Sequence, residues 1–100
     1  MNTNKVKKII KLSTTWCGPC RAFSSTFHRV EEMEDYKDIE FKEIDIEKDE
    51  DGEVLAEKYQ VRSVPTTVLL DENDELIYKL MGNVPEKDFI DVINEALKDR

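Results

Sequence analysis

The chain carries its two cysteines in one pentapeptide, Trp16-Cys17-Gly18-Pro19-Cys20. A disulfide requires Cα atoms about 4.4–6.8 Å apart, and one helical turn that begins at Cys17 brings Cys20 into that range. Pro19 suits an early helical position because its missing N–H has no partner there, and Gly18 allows a tight turn before it. The pentapeptide therefore predicts a helix that starts at a reversible dithiol.

The same helix start predicts different roles for the two thiols. Unpaired N–H groups and the positive end of the helix dipole stabilise a thiolate at Cys17, and the thiolate is the nucleophilic form of cysteine. Cys20 lies one turn deeper, so we expect it to be less exposed and to react second. Two cysteines this close in sequence cannot tie distant segments together, which excludes a disulfide-framework protein.

Composition limits the class of protein. The length of 100 residues predicts a single domain, residues 1–100, that buries about 60–70% of its unfolded surface. The formal net charge is −8. The acidic balance disfavours binding to nucleic acid or anionic membranes, since both need clustered Lys and Arg. Lysines at positions 5, 7, 8 and 11 interrupt the apolar N-terminal residues, and no later run is long enough to span a bilayer. We therefore expect a cytoplasmic protein without membrane contact.

Hydrophobic spacing predicts alternating strands and helices. In chain order, the expected elements are a strand at 7–13, a helix from Pro19 to about Met33, a strand at 40–47, a short helix opened by Asp51 or Gly52, a strand at 67–70, a strand at 75–81 and a helix opened by Pro85. Right-handed crossover through the long helix makes the first two strands parallel, and the last two form an antiparallel hairpin. The short helix is expected to bring four residues to one side, namely Val54, Leu55, Lys58 and Tyr59.

The pentapeptide, placed after an apolar strand and before Arg21 and an amphipathic helix, resembles the thioredoxin family. Val64-Pro65-Thr66 before a β-forming run resembles the cis-proline segment of that family. The resemblance covers about residues 7–98 and implies an α/β protein with the minimal thioredoxin fold, β-α-β-α-β-β-α, a four-stranded mixed sheet with helices on both faces. We expect the additional N-terminal strand and helix of full thioredoxins to be missing, because the residues before Lys7 are too few to form them.

The resemblance implies thiol–disulfide exchange. Cys17 attacks a substrate disulfide, and Cys20 then resolves the mixed disulfide, which leaves the protein oxidised. In the family a flavin- and NADPH-dependent thioredoxin reductase usually restores the dithiol, so the chain needs no cofactor of its own. The implied partners are that reductase and disulfide-containing substrate proteins. We expect a monomer. The sheet edge that the missing N-terminal strand leaves unpaired is a candidate surface for weak self-association.

The resemblance also implies a substrate groove around Cys17. Its expected residues are Trp16, Gly18, Pro19, Val64, Pro65 and Gly82. A cis bond before Pro65 turns the backbone of Val64 towards Cys17, where an extended substrate can pair with it like an added strand. Gly82 is expected to flank the groove at a point where a side chain would obstruct the peptide.

Two charged positions depart from the family pattern. Many thioredoxins have a buried Asp six residues before the first cysteine and a Lys on the neighbouring strand, whereas this chain has Lys11 and Glu43 there. We hypothesise that Glu43 receives the Cys20 proton, directly or through water, and that Lys11 pairs with Glu43 or with the thiolates. The alternative is that Lys11 reaches solvent and has no catalytic role. His28, about two turns past Cys20, is expected to be a surface or half-buried histidine, too far along the helix to be the base of Cys20.

Other interpretations stay open from the sequence. A structural zinc site needs about four ligands, and two Cys with one His are too few within one chain, so we expect no metal. The protein is alternatively an adaptor whose dithiol is incidental. Among redox proteins, Gly-Pro between the cysteines disfavours a glutaredoxin-like role, whereas an isomerase or an oxidant remains an alternative.

Overall fold

Four strands and three α-helices make up residues 6–98, the part of the chain that the computed structural model describes. In chain order they are β1 (Lys8–Ser13), α1 (Gly18–Glu31), a 3-10 turn (Glu34–Tyr36), β2 (Glu40–Asp45), α2 (Gly52–Lys58), β3 (Thr66–Leu70), β4 (Leu76–Met81) and α3 (Glu86–Leu97). The strand order is β2-β1-β3-β4, with β1 parallel to β2 and both β1 and β4 antiparallel to β3. The predicted order of elements and the mixed sheet are confirmed.

The N-terminal segment and the membrane expectation are only partly covered by the structure. The expected lysine-interrupted start lies partly outside the described residues, at positions 1–5. Between positions 6 and 98, no helix combines the length and the apolar character needed to cross a bilayer.

The sheet has a hydrophobic core on each face because its central strands bury both sides. On one face Ile9 packs with Phe23 and Phe89 beneath α1 and α3, and on the other Ile10 and Leu12 pack beneath α2. Successive residues of a strand point to opposite faces, so Lys11 follows Ile9 onto the α1 side. The alternation of β1 thus places a lysine in the layer between the sheet and α1.

Aromatic rings fix α1 against α3 and the sheet. The centroids of Phe23 and Phe89 lie 5.3 Å apart, and those of Phe27 and Phe89 lie 6.0 Å apart. Phe27 also meets Phe41 of β2 edge-on, with centroids 5.5 Å apart. These contacts set the rotation of α1 and therefore determine which of its side chains face β2.

Two details of the predicted helices are wrong. The helix α1 ends at Glu31 rather than near Met33, because Met33 adopts an extended backbone (φ −73°, ψ 137°) as it leads into the 3-10 turn. Of the four residues expected on one side of α2, Val54 and Lys58 are exposed, and only Leu55 and Tyr59 pack against the sheet. A helix of only two turns buries a narrow stripe, and Leu55 and Tyr59, spaced four residues apart, fill that stripe against the α2 face of the sheet.

Gly52, the first residue of α2, lies against the backbone of the preceding loop. A Cβ at this position would lie 2.6 Å from both the Asp45 carbonyl oxygen and the Ile46 Cα. Because backbone atoms cannot move aside as a side-chain tip can, we expect Gly52→Ala to destabilise the protein by about 3 kcal/mol. Urea denaturation against Gly18→Ala tests this, since a Cβ at Gly18 meets nothing within 4 Å. Equal stability of the two variants would contradict the prediction.

Candidate active site

The pentapeptide lies where the chain leaves β1 and enters α1. Cys17 is the N-cap residue of α1, with an extended backbone (φ −88°, ψ 115°), and the backbone N–H of Cys20 donates to Cys17 Sγ over 3.1 Å. Pro19 lies in the first turn. Cys17 and Cys20 are joined as a disulfide, with Cα atoms 5.2 Å apart. The predicted helix start and the predicted dithiol geometry are confirmed.

The two sulfur-bearing residues border different cavities. Cys17 lines an open groove of about 500 Å³, and Cys20 lines a separate cavity of about 350 Å³. Both residues are largely covered, with 5% of Cys17 and 1% of Cys20 exposed. An incoming molecule in the groove therefore meets Cys17, while Cys20 lines the second cavity beside Lys11 and Glu43.

The groove at Cys17 is formed by most of the residues that the sequence predicted. Trp16, Gly18, Pro19 and Val64 line it together with Cys17. The Val64 carbonyl oxygen lies 3.8 Å from Cys17 Sγ. Trp16 is exposed, and its indole N–H donates to Glu47 Oε1 over 3.0 Å.

Pro65 and Gly82 support the groove from beside it. The Val64–Pro65 peptide bond is cis, as predicted. The backbone N–H of Gly82 donates to the Pro65 carbonyl oxygen over 2.8 Å, which ties the end of β4 to the cis-proline turn. Gly82 has a φ of +92°, a conformation that side chains disfavour, so the turn itself requires glycine.

Lys11 and Glu43 form an ion pair beside Cys20. They are partners in the parallel register of β1 and β2, and Lys11 Nζ lies 3.0 Å from Glu43 Oε2. The Lys11 side chain is 2% exposed and that of Glu43 is 33% exposed. The alternative in which Lys11 reaches solvent is therefore wrong, because β1 turns this side chain under α1. Both residues line the 350 Å³ cavity with Cys20.

Sequence reasoning missed Ser24, which joins this pair to the helix. Its hydroxyl accepts a hydrogen bond from Lys11 Nζ over 3.1 Å and lies 2.9 Å from Glu43 Oε2. It also lies 3.3 Å from the Cys20 carbonyl oxygen. The signal was present in the sequence, because residues four apart share a helix face and Ser24 follows Cys20 at that spacing.

His28 extends the same face by one more turn. Its side chain is 54% exposed, as expected for a surface histidine. Its Nε2 lies 2.8 Å from Glu43 Oε1, a contact that the sequence did not predict. Glu43 is thus held from inside by Lys11 and Ser24 and from outside by His28.

These contacts control the ionisation of Glu43. Burial is the largest influence and acts to raise its pKa, but hydrogen bonds with Lys11, Ser24 and His28 and the positive charge of Lys11 together outweigh burial. The pKa of Glu43 is consequently lower than that of an ordinary glutamate. Glu43 is ionised at neutral pH and can accept a proton, but it holds that proton weakly.

The lowered pKa of Glu43 predicts a pH-dependent contribution to stability. A carboxyl whose pKa is depressed by folding stabilises the protein above its unfolded pKa, about 4.3 for glutamate, and loses that contribution as the pH falls through the folded value. We therefore expect Glu43→Gln to lose less stability than the parent protein on acidification from about pH 5 to pH 3. Urea midpoints at each pH test this, with Glu57→Gln, an exposed carboxylate, as the control. Parallel profiles for the two variants would refute the assignment.

Comparison with known proteins shows to which family the chain belongs. The family model named Thioredoxin matches residues 1–95. The chain belongs to the thioredoxin family. Thioredoxin Asp f 29 of Aspergillus fumigatus is 39% identical over 77 residues, which cover 77% of this chain and 67% of that protein. The thioredoxin of Ophiophagus hannah is 32% identical over 90 residues, 90% of this chain and 75% of that protein.

Solved thioredoxin structures have the same fold. The germline-specific thioredoxin Deadhead from Drosophila melanogaster superposes with a TM-score of 0.75 at 29% identity, over 92% of this chain and 81% of that one. The short form of thioredoxin f from spinach chloroplast gives a TM-score of 0.76 at 26% identity, over 97% of this chain and 82% of that one. The minimal thioredoxin fold expected from the sequence is confirmed.

Family and site together establish the activity. As a thioredoxin with paired cysteines at the start of α1, the protein is a protein-disulfide oxidoreductase that works by dithiol–disulfide exchange. Thioredoxins generally need no cofactor. Within the described residues, no three His, Cys, Asp or Glu side chains are grouped so that they could hold a metal ion. No observation favours the adaptor interpretation.

Proposed function

We propose that this thioredoxin reduces disulfides of other proteins in two steps, with Cys17 as the nucleophile and Cys20 as the resolving thiol. The observation that carries the assignment is that Cys17 lines the groove beside the cis-proline segment, whereas Cys20 does not line that groove and is only 1% exposed. A substrate disulfide in the groove reaches Cys17 first. The N-cap position supports the role of Cys17, because the Cys20 N–H already donates to its sulfur.

The proposed substrate position lies along the Val64 segment. An extended peptide in the groove can pair with the backbone of Val64, whose carbonyl oxygen lies 3.8 Å from Cys17 Sγ. Trp16, Gly18 and Pro19 supply an open rim on the other side. Pro65 and Gly82 keep this backbone in place through their hydrogen bond.

The proposed resolving step uses the pair of charges beside Cys20. The Cys20 thiol loses its proton to Glu43 through water in the 350 Å³ cavity, and its sulfur attacks Cys17 in the mixed disulfide. The Cys17–Cys20 bond forms, the bond from Cys17 to the substrate breaks, and the substrate leaves as a thiolate that takes up a proton. Lys11 holds Glu43 ionised and supplies positive charge near the developing thiolate.

The proposed reductant, substrates and cellular compartment follow from family membership. A separate flavin- and NADPH-dependent thioredoxin reductase returns two electrons to the disulfide, and disulfide-containing proteins are the substrates. We place the protein in the cytoplasm, where a reducing environment favours the dithiol form. Residues 1–100 act as one monomeric domain. The net charge of −8 is the reason to propose neither nucleic acid nor a membrane as a partner.

The test is the equilibrium reduction potential of Cys17 and Cys20 in a thiol redox buffer. A two-electron transition near about −270 mV, the reference value for thioredoxins, supports a disulfide reductase. A transition near about −180 mV or higher would indicate an isomerase or an oxidant instead. The absence of any transition would reject dithiol exchange.

A further inference from the structure

We propose that His28 accepts a proton from Glu43 in the resolving step. The proton that leaves the Cys20 thiol passes first to Glu43, then to His28, and from His28 to solvent. The proposal rests on the proposed role of Glu43 as the first acceptor. His28 is the single histidine of the chain. It is a relay residue of the resolving step, distinct from the residues that contact the substrate.

The position of Glu43 between interior and solvent carries the proposal. Its Oε2 lies 3.0 Å from Lys11 Nζ and 2.9 Å from Ser24 Oγ, on the side of the cavity that Cys20 also lines. Its Oε1 lies 2.8 Å from His28 Nε2. One carboxylate therefore has one oxygen on the buried network and the other on an imidazole that is more than half exposed.

Glu43 is suited to pass a proton onward. The contacts that depress the pKa of Glu43 make it release a bound proton readily, so an acceptor beside its outer oxygen can take the proton onward. Histidine side chains ordinarily change charge between pH 5 and 8, which makes a neutral imidazole more basic than a carboxylate. Without His28, the proton must leave Glu43 directly to water.

One proton moves from the Cys20 thiol to Oε2 of Glu43. It travels through cavity water or through the Ser24 hydroxyl, which gives its own proton to Glu43 and takes up the proton from Cys20. The terminal bond of a glutamate has a broad, roughly two-fold torsional profile, so a half-turn presents the protonated oxygen to His28 Nε2. Nε2 accepts the proton in the neutral tautomer that carries its hydrogen on Nδ1. The imidazolium then releases a proton to buffer. No electrons move along this path, because both electrons travel with the sulfur–sulfur exchange.

Charged groups face His28 from the sheet and from its own helix. From the sheet, Glu43 faces the ring, and Lys11 lies behind Glu43. The groups on its own helix face follow from helical spacing and are Arg21 two turns before it and Glu31 and Glu32 one turn after it. The ring of Phe27 also lies close by, with its centroid 6.3 Å from that of His28. Glu43 is therefore the charged group positioned to exchange a proton with the imidazole.

The experiment separates the two thiol steps in a single turnover. Reduced protein is mixed with 5,5′-dithiobis(2-nitrobenzoate), which releases one chromophoric thiolate when Cys17 attacks and a second when Cys20 resolves. We expect His28→Gln to leave the first release unchanged and to slow the second about fivefold at about pH 8, less than a direct general base contributes, because water partly replaces an exposed relay.

Companion variants make the test specific. His28→Ala should regain the lost rate when imidazole is added, and His28→Gln combined with Glu43→Gln should be no slower than Glu43→Gln alone. Glu32→Gln, an exposed charge change one turn away, is the matched control and should keep both rates.

Each contrary result points to a different error. If Glu43→Gln slows the second release but His28→Gln matches the parent at every pH, the relay is wrong and the role of Glu43 stands. If neither variant slows it, the role of Glu43 falls as well. If only one thiolate is ever released, the proposed two-thiol mechanism fails.

Discussion

Cys20→Ser is expected to change the protein from a catalyst into a trap for its substrates. Cys17 still attacks a disulfide from the groove, but no second thiol faces the resulting mixed disulfide. The bound substrate itself occupies the groove that Cys17 lines, so an external thiol has poor access to the mixed disulfide. We expect turnover in a protein-disulfide reduction assay to fall by about 10³-fold or more and a covalent adduct with the substrate to accumulate. Mass spectrometry under non-reducing conditions measures the adduct directly.

Cys17→Ser is the matched control for this experiment. It should be equally inactive but should form no adduct, because Cys20 is only 1% exposed and does not line the groove. An adduct on Cys20 in that variant would reverse the assigned roles. Near-normal turnover by Cys20→Ser would show that external thiols resolve the intermediate. If both serine variants still supported the function of a partner protein, the adaptor interpretation would gain its first support.

Much of the fold was predictable because its signals are local. The spacing of Cys17 and Cys20, with Pro19 between them, favours a helix start through local geometry, without reference to distant parts of the chain. The density of apolar residues around Ile9 and Ile10 predicts a strand covered on both faces, and the structure has a core on each side of it. Structural features that are determined within a single turn or strand can therefore be predicted from the sequence.

The contacts that complete the site were less predictable because they depend on long-range geometry. Whether His28 meets Glu43 depends on the β1–β2 register and on how the aromatic rings around Phe27 rotate α1. Neither is encoded in the residues near His28. The misplaced Val54 has the same origin, since periodicity alone cannot show how narrow a stripe a two-turn helix buries. The pairing of Lys11 with Glu43 was predictable only because the family resemblance supplied both positions.

Lys11→Met and Glu43→Gln remove the same ion pair, yet we expect them to change stability in opposite directions. Methionine fills the space of the buried Lys11 stem, and Glu43, one-third exposed, can turn to solvent. Replacing a buried pair with apolar atoms is often neutral or stabilising, so Lys11→Met should match or exceed the parent. Glu43→Gln leaves an ammonium group buried without its carboxylate, which should cost about 2 kcal/mol, below the usual 3–5 because Glu43 is partly solvated.

The reduction potentials of these variants should also move in opposite directions. A buried cation near Cys20 stabilises thiolate and therefore the reduced state. Lys11→Met removes that cation and should favour the disulfide about tenfold, a shift of about 30 mV to more negative potential. Glu43→Gln leaves the cation uncompensated and should shift the potential to less negative values.

Urea unfolding of the oxidised proteins and equilibration with glutathione provide the two measurements. Lys87→Met, which removes an exposed pair with Asp91, is the control and should change neither quantity. If Lys11→Met and Glu43→Gln lost stability equally, the ion pair itself would be stabilising, and the asymmetry expected from burial would be wrong. If their potentials moved together, the charge of Lys11 would not act on the cysteines, and its role would be limited to holding Glu43 in place.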